Sequence, residues 1–165
     1  MEARINRYVG ARFLKIGDVC YISGDDRAWT ILGSCVSVCL IAFDGTVALC
    51  HAQLPECLSN VTGDATEYGS KYVDVVVPDM VAGLESRGIK PGCIRAVIIG
   101  GSSNFKVALK NYNAGERNVE MARKMLSKLS IQVVAEDVNG FGSRKLLVDT
   151  EMRTIQVNEV VMYSW

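Results

Sequence analysis

Cys35 follows Gly33 and Ser34 and opens the apolar run Val36-Ser37-Val38-Cys39. His51, the single histidine of the chain, comes a short turn later. A thiol where a loop meets a strand, with an imidazole on the returning strand, is the smallest self-activating nucleophile a protein builds. The ring accepts the thiol proton, the thiolate attacks a carbonyl carbon, and the imidazolium protonates a leaving nitrogen. Free cysteine, with a pKa of about 8.5, holds little thiolate at neutral pH, so the neighbour makes the sulfur useful. A thiolate–imidazolium pair predicts alkylation of Cys35 that stays fast below pH ~7. Gly33 lets substrate backbone approach closely. N–H groups around Gly33, Ser34 and Cys35 are candidate donors to an oxyanion, one such donor being worth about 3 kcal/mol of barrier.

Strand geometry bears on that pair. On a regular strand Cys35, Ser37 and Cys39 share one face, while Cys50 and His51 point to opposite faces. His51 rather than Cys50 is then the partner of Cys35, with the pairing register left open. A cysteine in a valine-rich strand is more often a core residue, and a lone histidine more often a satisfied polar group. Spacing alone leaves both readings standing.

The elements that carry the pair follow from pattern. Residues 1–10 are polar and expected to be loosely held or disordered. Residues 13–22 read as short strands about a bend at Gly17-Asp18, and 23–26 as a loop. Residues 30–43 read as one strand kinked at Gly33. Asp44-Gly45 is a hairpin turn, and 46–54 the returning strand, ended by Pro55. Residues 56–66 form a loop. The stretch 68–87 is helical in pattern, with Tyr72, Val75, Val76, Met80 and Leu84 on one face. Pro78 there removes a donor and implies a kink or break, and Gly88 fits the stop. Residues 96–99 are a buried strand, ended by Gly100-Gly101-Ser102-Ser103-Asn104. A second helix follows Gly115-Glu116-Arg117-Asn118, with Val119, Ala122, Met125, Leu126 and Leu129 as its stripe. Residues 131–136 are a strand and 139–142 a turn, and 144–148 with 154–157 close as a hairpin. Strands outnumber helices and short turns join neighbours, which predicts an α+β domain over residues 1–165 with largely antiparallel sheets.

Composition narrows the classes of function. The chain has 165 residues, 49% of them apolar, enough for a core of its own. Lys and Arg total 18, as do Asp and Glu, so no net field favours nucleic acid or an anionic membrane. No apolar run approaches the ~20 residues of a membrane span, and no signal core follows Met1, so a cytoplasmic protein without membrane insertion is expected. The six cysteines, at 20, 35, 39, 50, 57 and 93, show no Cys-x-x-Cys spacing. No metal site and no cofactor are expected, and most of the thiols read as small buried hydrophobes.

Gly33-Ser34-Cys35-Val36-Ser37-Val38, then His51-Ala52-Gln53-Leu54-Pro55, resembles the signature of the chemoreceptor glutamine deamidase family, CheD. The likeness continues through Tyr72-Val73-Asp74 with Pro78, Gly100 to Asn104, Gly115-Glu116-Arg117-Asn118, Glu136-Asp137-Val138-Asn139-Gly140 and Gly142-Ser143-Arg144-Lys145. The resemblance implies a layered sandwich of β-sheets with two main helices packed on the outside. It implies a cysteine hydrolase that converts receptor glutamines to glutamate through a thioester, releasing ammonia, with methyl-ester hydrolysis as a side activity. Cys35 would be the nucleophile, His51 the base and then acid, and Thr30 the threonine that orients the histidine. The implied partners are the cytoplasmic helices of chemotaxis receptors and a CheC-type phosphatase. Two other functions remain open: a non-catalytic adaptor for receptors or phosphatase, and a cysteine amidase acting on another protein.

Other residues have plainer readings. Gly100-Gly101 is a tight turn rather than a phosphate cradle, since no Lys-Ser/Thr follows. Asn104 contacts substrate or caps its loop. Glu116 sits at a helix start, where a carboxylate suits the dipole. Arg144-Lys145 reads as a solvated strand edge, and Trp165 as cover for a sheet edge.

Overall fold

The computed structural model describes residues 6–58, 69–103 and 113–165. In chain order these form β1 (Arg12–Phe13), β2 (Val19–Ile22), β3 (Arg27–Leu32), β4 (Val36–Ala42), β5 (Val47–Cys50) and α1 (Val73–Glu85). Then come β6 (Ile94–Gly100), α2 (Ala114–Lys128), β7 (Gln132–Val138), β8 (Arg144–Asp149), β9 (Thr154–Val157) and β10 (Val160–Ser164). One five-stranded sheet has the order β1-β3-β8-β9-β10 and the other β2-β5-β4-β6-β7. The pairings are antiparallel except β1 with β3 and β6 with β7. The fold is the expected α+β sandwich.

Alternation along the central strands builds two cores. Val36, Val38 and Leu40 of β4 face the helices, meeting Val76 and Met80 of α1 and Leu126 of α2. Cys39 and Ile41 face the other sheet, with Leu146, Val148 and Ile155. Burial on both faces explains why β4 reads as an apolar run interrupted only by Ser37. Asp44-Gly45 makes the reversal into β5, with φ +93° at Gly45, setting Cys39 opposite Leu49.

The same double burial hides a change of sheet. Residues 30–43 are not one kinked strand: β3 ends at Leu32 in the first sheet and β4 begins at Val36 in the second. Gly33, Ser34 and Cys35 are the crossing. Hydrophobic periodicity is blind to it, because the run stays buried on either side.

The first helix starts at Val73, later than the pattern suggests, and Tyr68 lies outside the described residues. It runs unbroken through Pro78 and buries Val73, Val76, Val77, Met80, Val81 and Leu84. An interior proline costs roughly 3 kcal/mol. Six buried side chains at about 1.5–3 kcal/mol each outweigh it. The second helix includes Gly115 to Asn118 rather than following them, capped by Asn113 Oδ1 on the Glu116 N–H at 3.1 Å. Its buried face carries Val119, Ala122, Met125 and Leu126.

Three details complete the frame. Asn158 and Glu159, at φ +50° and +67°, turn the chain into β10, which the pattern did not predict. Residues 1–5 and most of the 56–66 loop lie outside the described residues. Within 6–10, Tyr8 packs edge-on to Trp29 with ring centres 5.3 Å apart. No helix among the described residues is long and apolar enough to cross a membrane.

Candidate active site

Thr30 and His51 meet in a hydrogen bond, and Cys35 lies on the chain segment that pairs beside His51. Beyond the end of β5 the chain still pairs with the start of β4: Val36 and Ala52 exchange two backbone hydrogen bonds of 2.9 Å. That register places His51 opposite Ser37 and makes it the diagonal neighbour of Cys35 on the same face. Cys50 packs on the helix side, as alternation requires, so it is not the partner. Thr30 comes from the opposing sheet, with its side chain fully buried.

The hydrogen bonds select the imidazole tautomer. Thr30 Oγ1 donates its only proton to the Leu14 carbonyl at 2.7 Å. Toward His51 Nδ1, 2.8 Å away, the same oxygen must therefore accept. Nδ1 carries the proton, and Nε2 keeps the lone pair that a thiol proton needs. Leu14 O also lies 3.3 Å from Nδ1. The His51 backbone is held by Asp18 O on its N–H at 3.0 Å and by the Gly17 N–H on its carbonyl at 2.8 Å. Asp18 and Gly17 belong to the bend read from sequence.

Burial sets the charge state. Cys35 is 8% and His51 5% exposed. Desolvation raises the Cys35 thiol above its ordinary value, partly offset by its own backbone N–H. Desolvation likewise lowers His51, partly offset by Leu14 O and Asp18. Both directions favour the uncharged pair, and among the described residues no hydrogen bond joins the sulfur to the ring. The thiolate–imidazolium form therefore works against the burial of both groups.

The Gly33–Cys35 crossing is anchored through its carbonyls. Gly33 O accepts from the Ser102 N–H at 2.9 Å and Cys35 O from the Gly101 N–H at 2.8 Å. Ser34 O accepts from Asn118 Nδ2 at 2.9 Å. Gly100 is the last residue of β6 rather than part of a tight turn, and a side chain on it would run into the Cys35 carbonyl. Among the described residues the N–H groups of Gly33, Ser34 and Cys35 have no backbone acceptor, which leaves them available to an oxyanion. Asn104 lies outside the described residues.

Two residues without a sequence-based role support this crossing. Asn118 is one; its signal was a polar residue in line with Ala122 and Met125 on the buried stripe of α2. Arg144 is the other. It is not at a solvated edge, because β8 is the middle strand of its sheet. Its guanidinium bonds Asp137 at 2.9 Å, Ser102 Oγ at 2.6 Å and Asn139 O at 2.8 Å, and so braces the loop that holds Gly33.

Comparison with known proteins gives a consistent picture. The family described as CheD chemotactic sensory transduction matches residues 53–159. A probable chemoreceptor glutamine deamidase CheD 2 of Geobacter sulfurreducens is 34% identical over 84% of this chain and 82% of its own length. The chemoreceptor glutamine deamidase CheD of Thermotoga maritima is 36% identical over 78% of each chain. That of Halalkalibacterium halodurans is 34% identical over 78% of this chain and 80% of its own. The family match begins after His51, but the Geobacter alignment leaves too few residues outside it to miss Thr30, Cys35 and His51.

Proposed function

The chain belongs to the CheD family, and on that premise we propose that it hydrolyses glutamine side-chain amides on chemoreceptors to glutamate. The substrate is the set of cytoplasmic receptor helices, Cys35 the nucleophile, His51 the proton carrier and Thr30 the residue that orients it. The tautomer carries this reading: with Nδ1–H spent on Thr30 Oγ1, Nε2 is the base beside Cys35.

The steps balance with the residues present and water. As Sγ attacks the amide carbon, Nε2 takes the thiol proton and the carbonyl oxygen becomes an oxyanion. N–H groups of the Gly33–Cys35 crossing receive it. The imidazolium then protonates the amide nitrogen, the C–N bond breaks, and ammonia leaves a thioester on Cys35. Nε2 next takes a proton from water, whose oxygen attacks the thioester. The C–S bond breaks, the proton returns to sulfur, and the product is a carboxylic acid that ionises. Burial of both groups favours a proton transfer that accompanies attack over one that precedes it.

Intact-mass measurement of a receptor cytoplasmic fragment tests the reading. The wild type is expected to add, per converted glutamine, the mass difference between NH2 and OH, and Cys35→Ala to add none while still binding. Conversion by Cys35→Ala refutes the nucleophile. A wild type that binds the fragment, or a CheC-type phosphatase, and never changes the fragment's mass is the adaptor instead.

A further inference from the structure

We propose that Asn118 is the positioning residue that aims the Cys35 N–H at the oxyanion, by holding the other end of the same peptide unit. The inference rests on the deamidase reading. Asn118 is a fully buried amide on the inner face of α2. Its Nδ2 donates two hydrogen bonds of 2.9 Å, one to Ser34 O and one to Gln53 O. Its Oδ1 is buried without a partner among the described residues. With a carbonyl on each side of Nδ2, the amide cannot be turned over, since that would set oxygen against two oxygens.

Those carbonyls flank the paired residues Val36 and Ala52, one on the arm that carries Cys35 and the other on the arm that carries His51. In a trans peptide the C=O of one residue and the N–H of the next point in opposite directions. Fixing Ser34 O against α2 therefore turns the Cys35 N–H away from the helix, toward the sulfur. The bond to Gln53 O ties the His51 arm to the same amide. One side chain thereby sets the direction of the donor and the spacing of the two arms. A buried polar group on an apolar helix face costs stability unless its bonds compensate. Here they act on the peptide next to the nucleophile.

The test separates oxyanion binding from the thiol–imidazole pair. Displacement of iodide from iodoacetamide by Cys35 passes through no oxyanion, whereas amide hydrolysis does. Asn118→Leu and Asn118→Asp are expected to lower kcat for a receptor fragment by about a hundredfold, with KM changed less than about threefold. The pH profile of Cys35 alkylation should stay that of the wild type. Activity like wild type in either folded variant overturns the inference. So does an alkylation profile displaced as far as the deamidation rate, which would make Asn118 a support of the pair and not of the donor. If both variants fail to fold, the wild type still decides. A peptide aldehyde that adds to Cys35 should move the Cys35 amide proton downfield, and an unmoved resonance refutes the assignment. A wild type inactive on every receptor fragment removes the deamidase reading and this inference with it. An active wild type with indifferent variants removes the inference alone.

Discussion

Cys35 and Cys39 lie four residues apart, both on the inner side of the sandwich, and differ in nearly everything that matters for chemistry. Cys39 is fully enclosed between the sheets, and desolvation, opposed only weakly by Ser37 Oγ at 3.9 Å, drives its thiol far above the ordinary range. Cys35 sits where the chain crosses between sheets, with N–H groups that have no backbone acceptor among the described residues, an imidazole on the adjoining strand and 8% exposure. The same side chain is packing material at one position and the proposed nucleophile at the other. The ladder is interrupted between them: backbone donors used in pairing at Cys39 have no backbone acceptor at Cys35 among the described residues.

Exchanging each thiol gives the sharpest break of the comparison. Cys35→Ala should lower deamidation by roughly a thousandfold or more. Cys39→Ala should leave kcat within about threefold and cost roughly 1 kcal/mol of stability, read in urea unfolding. Comparable losses of activity in both would mean that the crossing confers nothing special. His51→Asn should follow closely behind Cys35→Ala, at about 10²–10⁴-fold. Thr30→Val, which keeps the shape and removes the hydroxyl, should cost about ten- to a hundredfold in kcat with KM little changed, because the ring is then free to turn from the sulfur. A Thr30→Val enzyme as active as wild type would show that Leu14 O alone holds the tautomer.

Effects of pH are smaller and more diagnostic. The lowered pKa of His51 places the acid limb of kcat/KM below 6.5, the ordinary value. The raised pKa of Cys35 places the midpoint of its alkylation above 9.0. Rapid alkylation of Cys35 at pH ~6 would show a standing ion pair and reverse the order of proton transfer and attack. Stability carries the same signs. His51, depressed in the native state, contributes stability that is full above 6.5 and lost as pH falls through its native pKa. The interior thiols, raised to about 11 at Cys20 and about 12 at Cys50, contribute stability that is full below 9.0 and lost as pH rises through those values. The melting temperature should decline on both sides of that window. Its alkaline decline should persist in Cys35→Ala, because the fully enclosed thiols produce most of it.

Much of the frame was legible beforehand for a local reason. Alternation has a period of two, so Cys50 and His51 had to point to opposite faces, and the Val36–Ala52 register then put His51 on the face of Cys35. Asp44-Gly45 named its own hairpin, and the stripe of α2 followed from helical spacing. Where the reading failed, the missing information was nonlocal. The change of sheet at Gly33 left no mark on a run buried on both sides, and the central place of Arg144 depends on which strands flank β8. Pro78 looked like a break because its cost is local, while the burial that outweighs it belongs to the whole α1 face.

The residues alone determined which chemistry was available: one imidazole and one thiol at a loop-to-strand junction. Only folding in three dimensions decided that it could be used. Thr30 reaches His51 from the opposing sheet. The Asn118 amide closes on Ser34 and Gln53 across 84 and 65 residues of sequence. Neighbours in the chain set a side chain's direction through backbone geometry. Its hydrogen-bond partner is set by which surfaces are buried together, and that depends on the packing of the entire sandwich.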